Sequence, residues 1–458
     1  MTGSCAEVVP PIAAAEKSKR TAESPSHVFF TRASLSHAFA ICAKLYAVAS
    51  PPGQLSERIS VLALQRRRKD EPEVFASRTN WNRGKNRLSL ALEEIRSAGK
   101  RVLDLSASNP TRCGFQMDAE TILQALSNPC ALEYDPDPRG LEPARRAVAA
   151  YYSARQENIS PDDILLTTST SEAYTFVFRA LCDPGDEILV PAPSYPLFDF
   201  LADIQDVRVE RYPLLYDHGW QTDFHALEQK ISPRSRAIVV VHPNNPTGHF
   251  AKQAEIEQLN RLASRHALAL IADEVFWDYR LAIEAPASFV GNAAALTFTL
   301  SGISKICGLP QMKAAWIVTN GPEALKREAI ERLEIIADTY LSVSAPVQYA
   351  LPKFLEMRHA FQEQLLKRVR TNLTELDRIL KAHPTCNRLE LEGGWYAVVQ
   401  VPATRTDEEL AIELLRSTGV YLHPGHFYDF AGEGSLVVSL ITPKEEFAEG
   451  IRAVLSMF

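Results

Sequence analysis

The chain predicts an α/β layer fold built on a mostly parallel sheet, and three features of the sequence carry that prediction. Apolar runs of strand length alternate with amphipathic helical stretches between residues 164 and 318. Several of those runs end in polar turns rich in Ser, Asn, Asp and Gly, at the carboxyl ends of strands, where open sheets of this kind hold their ligands. After Ala345-Pro346 the rhythm changes to one long helical stretch and then to the strand-like runs LELEGGWYAVVQVP and GSLVVSLIT with flanking helices, which read as an α+β unit.

Taken in order, residues 86–100 (NRLSLALEEIRSAGK) carry apolar residues at helical spacing, and 102–105 form a short strand before the loop Ser106-Ala107-Ser108-Asn109-Pro110-Thr111. The turn Asp135-Pro136-Asp137-Pro138 precedes a helix over 141–154. Seven strands are expected at 164–168, 187–191, 207–212, 237–241, 267–272, 294–299 and 314–318. Helices are expected at 172–181, 195–202, 224–229 and 252–265, and the long one at 347–382. The chain then divides into 1–75, an extension or sequence upstream of the true start of translation; 116–345, a large domain; and a smaller domain made of 76–115 with 346–458.

Composition sets further limits. The 458 residues have the apolar and charged fractions of a globular protein, and a formal charge of −7 gives no electrostatic footprint for nucleic acid. Seven scattered cysteines without a C-x-x-C pair fit reduced thiols in a cytoplasm, and they suggest no metal site. No apolar run reaches the roughly 20 residues that span a bilayer. The first 75 residues are rich in Ala, Ser, Pro and Arg, with a basic cluster at Arg66-Arg67-Arg68-Lys69. Within them AFAICAKLYAVA has the look of a weak secretory core, interrupted by Lys44; a disordered extension, or sequence upstream of the true start of translation, is the better reading.

Four features fall where the strands end. Ser169-Thr170-Ser171-Glu172 opens a helix and is either a plain N-cap or a phosphate cradle. His242-Pro243-Asn244-Asn245-Pro246-Thr247-Gly248 is a polar loop after a strand, read alone as a turn. Asp273-Glu274 closes the apolar run ALALIA, where a carboxylate is costly without a positive partner. Lys305 stands in a Ser/Gly-rich turn between two apolar runs. It is a solvated lysine, or an amine able to condense with an aldehyde cofactor if its surroundings keep part of it neutral.

That ordered set resembles the class I/II aminotransferases, pyridoxal 5'-phosphate enzymes of fold type I, from about Phe75 to the end of the chain. The resemblance implies a PLP-dependent transferase fold with a seven-stranded, mostly parallel sheet and a smaller α+β domain. The implied activity moves an amino group between an amino acid or amine and a 2-oxo acid. In this likeness Lys305 is the Schiff-base lysine and acid/base, and Asp273 partners the cofactor's ring nitrogen, keeping the ring an electron sink. Asn245 meets the cofactor's phenolic oxygen; Ser169, Thr170, Ser171, Ser304 and Lys313 are its phosphate-side residues; Tyr195 stacks on the ring. Tyr134 matches a tyrosine that reaches the neighbouring subunit's phosphate, implying a homodimer with shared sites.

Some positions depart from the family pattern. Phe276 stands for a tyrosine that touches the phenolic oxygen, Lys313 for an arginine, and Gly302 for a common serine. Near the C-terminus, the arginine that grips the substrate carboxylate is replaced by Val437. Ser108, Asn245, Trp395, His423 and His426 are the candidates to take over that task. The loss also keeps a PLP-dependent lyase or cyclase open as the alternative reading, because the cofactor stabilises a carbanion and the pocket chooses its fate.

Overall fold

The computed structural model describes residues 74–281 and 287–458. The basic cluster and the apolar run of the N-terminal extension lie outside the described residues.

A short strand, β1 (Leu103–Asp104), is followed by the strands of the main sheet: β2 (Ile164–Thr167), β3 (Glu187–Ala192), β4 (Arg208–Tyr216), β5 (Trp220–Thr222), β6 (Ser235–Val241), β7 (Ala269–Asp273), β8 (Thr297–Gly302) and β9 (Ala315–Asn320). Their spatial order is β2-β9-β8-β7-β6-β3-β4-β5. The pairs β8/β7, β7/β6, β6/β3 and β3/β4 are parallel. β9 is antiparallel to both β8 and β2, so β2 runs with the parallel set, and β5 turns back on β4. The sheet therefore has eight strands rather than seven: the seven expected runs all pair in it, and β5 is added by a hairpin on an extended β4. Six strands share one direction, which puts the ends of β2, β3, β6, β7 and β8 on one edge.

Alternate residues of each strand point to opposite faces. On one face Ile188, Val190, Val239, Ile271 and Leu300 pack under the helices Thr170–Leu181, Phe198–Asp203 and Glu323–Tyr340. On the other, Leu189, Ile238, Val240 and Leu270 pack under Phe224–Lys230 and Gln253–His266. A second core joins the helix Arg87–Ser97 and β1 to the C-terminal strands β10 (Asn387–Arg388), β11 (Tyr396–Gln400), β12 (Val420–Tyr421), β13 (His423–Pro424) and β14 (Ser435–Ser439). β1 pairs in parallel with β12. The helix Ala345–Leu380 serves both cores: Ala350, Leu351 and Phe354 belong to the β2/β9 side, whereas Leu365, Val369 and Leu376 pack in the second core. At 1.5 Å per residue it is roughly 50 Å long.

The boundaries shift for local reasons. Tyr195 precedes Pro196, which disfavours helical backbone, and the helix expected from 195 starts at Phe198. Ala267 is the left-handed cap of the preceding helix (φ 53°), so the strand expected from 267 starts at Ala269. Residues 294–296 are spent in a turn that Thr297 closes with its hydroxyl on the Ala295 carbonyl, and β8 runs on to Gly302. The helix Glu323–Tyr340 is additional to the expected elements; it buries three residues, Ala329, Leu333 and Ala337, on the sheet.

Candidate active site

Lys305 sits not in a loop but in the one-turn helix Ile303–Ile306, directly after β8. The turn is tightly fixed. Gly302 lies against β9, where a Cβ would stand 2.7 Å from the Ala315 Cβ and 2.9 Å from the Ala314 carbonyl, so there is no space for a serine at this position. Gly308, at φ +67°, lets the chain turn under the Phe361 ring. The Tyr279 hydroxyl donates to the Lys305 carbonyl at 2.5 Å, and the Gln362 amide donates to the Ile306 carbonyl at 3.1 Å. The Lys305 Nζ lies 4.9 Å from the centroid of the Trp395 ring and 5.6 Å from that of Phe276. Burial pulls its pKa down from 10.5 to about 8, against the opposing pull of Asp273.

Asp273 ends β7, one strand away. Burial pushes its pKa up to about 6, while the backbone N–H of Val275 (3.1 Å, to Oδ1), the Tyr174 hydroxyl (3.1 Å, to Oδ2) and the Lys305 charge favour the ionised form. The neighbouring carboxylate, Glu274, is enclosed and finds its cation in Arg155 at 3.1 Å. It also accepts from the Ser288 hydroxyl and the Phe289 N–H. Arg155 lies over the Trp277 ring at 3.3 Å. Both carboxylates at the end of the apolar strand thus have positive partners, but different ones.

Asn245 follows β6 and is buried, and its side-chain oxygen has no hydrogen-bond partner among the described residues. Its neighbour Asn244 fixes the loop by donating to the Pro193 carbonyl and the Thr247 hydroxyl, each at 2.9 Å. Ser169 is the N-cap of Thr170–Leu181 and accepts from the Glu172 N–H at 3.2 Å. Glu172 reaches back to the Thr168 N–H at 2.6 Å. The capping arrangement is therefore present, and it leaves the first-turn N–H groups of Thr170 and Ser171 directed out of the helix end. Tyr195 is partly buried against the core beside β3, and Ser304 is half-buried in the lysine turn. Lys313 is exposed in left-handed backbone (φ 55°), and Tyr134 is 79% exposed; no hydrogen bond or ion pair among the described residues ties either to the Lys305 cluster.

Beside the amine, Trp395 is fully buried and its indole N–H has no hydrogen-bond partner among the described residues. The Tyr396 hydroxyl lies beside the Ser108 hydroxyl and near that indole, without the alignment of a hydrogen bond to it. Ser108 is held there because the Ser439 hydroxyl donates to the adjacent Ala107 carbonyl at 2.5 Å. Val437 is buried in β14 between Val398 and His423. Burial pushes both His423 and His426 down to about 4, opposed by Asp104 and Glu433 respectively, so neither ring carries a charge at neutral pH. Arg416 is on the outer face of its helix, paired with Glu94.

Tyr174, Arg155 and Tyr279 are the residues around the site that sequence reasoning missed. The paired carboxylates Asp273-Glu274 signalled that two positive partners had to exist, and a tyrosine on the buried side of a helix has a hydroxyl that must find an acceptor. Neither signal names the partner.

A lysine of lowered basicity and a buried aspartate, set at the ends of adjacent parallel strands and followed along the same edge by an unsatisfied asparagine and an open helix N-terminus, define a pyridoxal-phosphate enzyme of fold type I. The chain belongs to the aminotransferase class I and II family, whose sequence profile matches residues 100–454. It is 28% identical over 348 residues to glutamate-pyruvate aminotransferase AlaA of Escherichia coli K12, covering 74% of this chain and 85% of that one. Over 222 residues it is 31% identical to the S-alkyl-thiohydroximate lyase SUR1 of Arabidopsis thaliana, covering 47% of this chain and 48% of the other. Among solved structures, an alanine aminotransferase from Pyrococcus furiosus superposes with a TM-score of 0.74 at 24% identity, covering 81% of this chain and 95% of that one. The protein is thus an aminotransferase that depends on pyridoxal 5'-phosphate.

Proposed function

We propose that Lys305 carries the proton transfers of this aminotransferase, exchanging an amino group between an amino acid or amine and a 2-oxo acid. The observation that carries the reading is the place of the Lys305 amine, just after the end of β8 and against the Trp395 and Phe276 rings; burial there pulls its pKa down to about 8, which leaves part of it neutral near pH 7.5 and able to act as nucleophile and base. The site fits the cofactor. Thr170 and Ser171 N–H groups, with Ser169, Ser304 and Lys313, would hold its phosphate; the Asn245 side-chain NH2 would donate to its phenolic oxygen; Tyr195 would cover its ring; Asp273 supplies the negative charge that a protonated ring nitrogen needs. When bound, the cofactor supplies the electron sink. Lys305 Nζ takes the proton from the donor carbon that bears the amino group, and the Phe276 and Trp395 rings flank it there.

Ser108, Asn245 and Trp395 offer neutral hydrogen-bonding groups to the substrate in place of the arginine missing at Val437. Alanine, glutamate and pyruvate are the first substrates to try, since AlaA is named for two of them and the Pyrococcus enzyme for the third. A homodimer is proposed, with Tyr134 serving the partner's site; the exposed apolar surface of Leu123, Leu132 and Tyr134 supports it. Five described cysteines are free thiols, in keeping with a cytoplasmic setting.

The test is transfer of ¹⁵N from labelled donors to a 2-oxo acid, followed by mass spectrometry, in wild type and Lys305→Ala. Label transfer that is lost in the variant supports the reading; equal transfer by the variant refutes it. The uncharged histidines and Val437 favour one second reading, a lyase on the same fold, whose signature is a released fragment with no label in the acceptor.

A further inference from the structure

We infer that Tyr174 is a positioning residue that holds Asp273 ionised and in place, tying the helix that begins at Ser169 to the end of β7. The inference deepens the aminotransferase reading and rests on it, because it gives Asp273 its task at the ring nitrogen.

Tyr174 projects from Thr170–Leu181, one turn beyond the proposed phosphate residues, and is 3% exposed. Its hydroxyl donates to Asp273 Oδ2 at 3.1 Å across a separation of 99 residues. The ring is wedged edge-on against Phe198 (5.5 Å between centroids) and tilted against Phe178 (5.7 Å), so the hydroxyl has little room to swing. The other carboxylate oxygen accepts from the Val275 N–H on the strand's own continuation. Each oxygen of Asp273 therefore has one donor, and Tyr174 is the one that comes from another element.

The charged and titratable groups around Asp273 are few. Lys305 lies on the next strand's turn and favours the carboxylate, while Glu274, already matched by Arg155, disfavours it. Tyr195 and Tyr212 are the titratable groups beside Tyr174. Burial, and then the Asp273 charge, push the Tyr174 hydroxyl well above its ordinary range, so it remains a donor throughout the working pH span. A hydrogen bond donated to a buried carboxylate stabilises its charged form more than its neutral one. Removing it makes Asp273 harder to ionise, and an uncharged Asp273 cannot hold a ring nitrogen protonated. By the same hydroxyl, the helix that would grip the phosphate and the residue that would grip the ring are set in register.

The experiment compares wild type, Tyr174→Phe and a control, Tyr212→Phe, which removes a buried hydroxyl bonded to the Val239 carbonyl and not to Asp273. Thermal unfolding of the cofactor-free proteins at pH 5 and pH 8 is read first. At pH 5 Asp273 is largely protonated and the hydroxyl matters little; at pH 8 it is ionised. The drop in Tm for Tyr174→Phe is expected to be at least twice as large at pH 8 as at pH 5, whereas the control drops equally at both. The pH profile of the amino-donor half-reaction is then read on the cofactor-loaded proteins, and the acid limb of Tyr174→Phe is expected to rise by roughly one pH unit. A Tm drop independent of pH overturns the inference, and so does an unmoved acid limb. Wild type that takes up no cofactor at all overturns the aminotransferase reading, and the proposed task of Tyr174 falls with it.

Discussion

Replacing Lys305 by methionine should make the cofactor-free protein more stable, not less. Burial lowers the amine's pKa from 10.5 to about 8, which means that its charged form is disfavoured in the folded state. The sign follows from linkage: between those two values the unfolded chain binds more protons, so stability rises with pH across that window, and at pH 7 the penalty is present in full. A fall from 10.5 to about 8 corresponds to about 3 kcal/mol, reduced somewhat because the residue is only partly buried. Asp273 loses its positive neighbour in the variant and returns part of the gain. Methionine would rest on Phe276 and Trp395 with favourable sulfur–aromatic contacts of its own. The net expectation is a gain of ~1–3 kcal/mol at pH 7, read by urea unfolding of the apo-proteins, fading toward zero as the pH passes about 10. Wild type that equals or exceeds the variant in stability at pH 7 would mean that burial does not disfavour the charged amine.

Three other outcomes follow from the same geometry. Arg155→Met leaves Glu274 enclosed without its cation and should cost about 3–5 kcal/mol at pH 8, and less at pH 5 where the carboxyl, its pKa raised by burial, can protonate; Arg155→Met with Glu274→Gln should recover much of the loss in the same denaturation assay. Tyr279→Phe removes the donor to the Lys305 carbonyl and should cost about 1–2 kcal/mol, with a several-fold fall in turnover and little change in cofactor affinity, measured by fluorescence titration. His423 and His426 should titrate near pH 4 by NMR, so that KM for a carboxylate-bearing donor shows no histidine limb between pH 5.5 and 7.5; a ring titrating near 6.5 would restore a candidate cation beside Val437.

What the sequence disclosed and what it withheld divide along local and non-local lines. The apolar runs of β3, β6 and β7 were legible because strands buried on both faces leave a continuous signature, and the polar turns after them marked one edge of the sheet. The direction of β9, which returns after the turn of Lys305 and the short turn Pro310–Met312 with no crossover helix between, is visible only once those turns are known. β5 escaped because three half-exposed residues on a hairpin carry no apolar run. At the site, Lys305, Asp273 and Asn245 could be named from motifs, each being anchored to the end of its own strand. Tyr174 and Arg155 could not, since they meet Asp273 and Glu274 across 99 and 119 residues and only the packing of Thr170–Leu181 and Glu142–Ser153 on the sheet brings them there. Gly302 is the converse case: its departure from a common serine looked like a lost hydroxyl and is accounted for by the closeness of β9.

The most direct test of the central claim is the visible absorption of the cofactor-loaded protein, recorded before and after adding single amino donors with no 2-oxo acid present. At least one donor, alanine or glutamate first, should convert the bound cofactor to its aminated form in wild type, and should not do so in Lys305→Ala. A spectrum that no donor converts, or one that returns to its starting form as a fragment of the donor is released, would contradict the transfer of an amino group by Lys305.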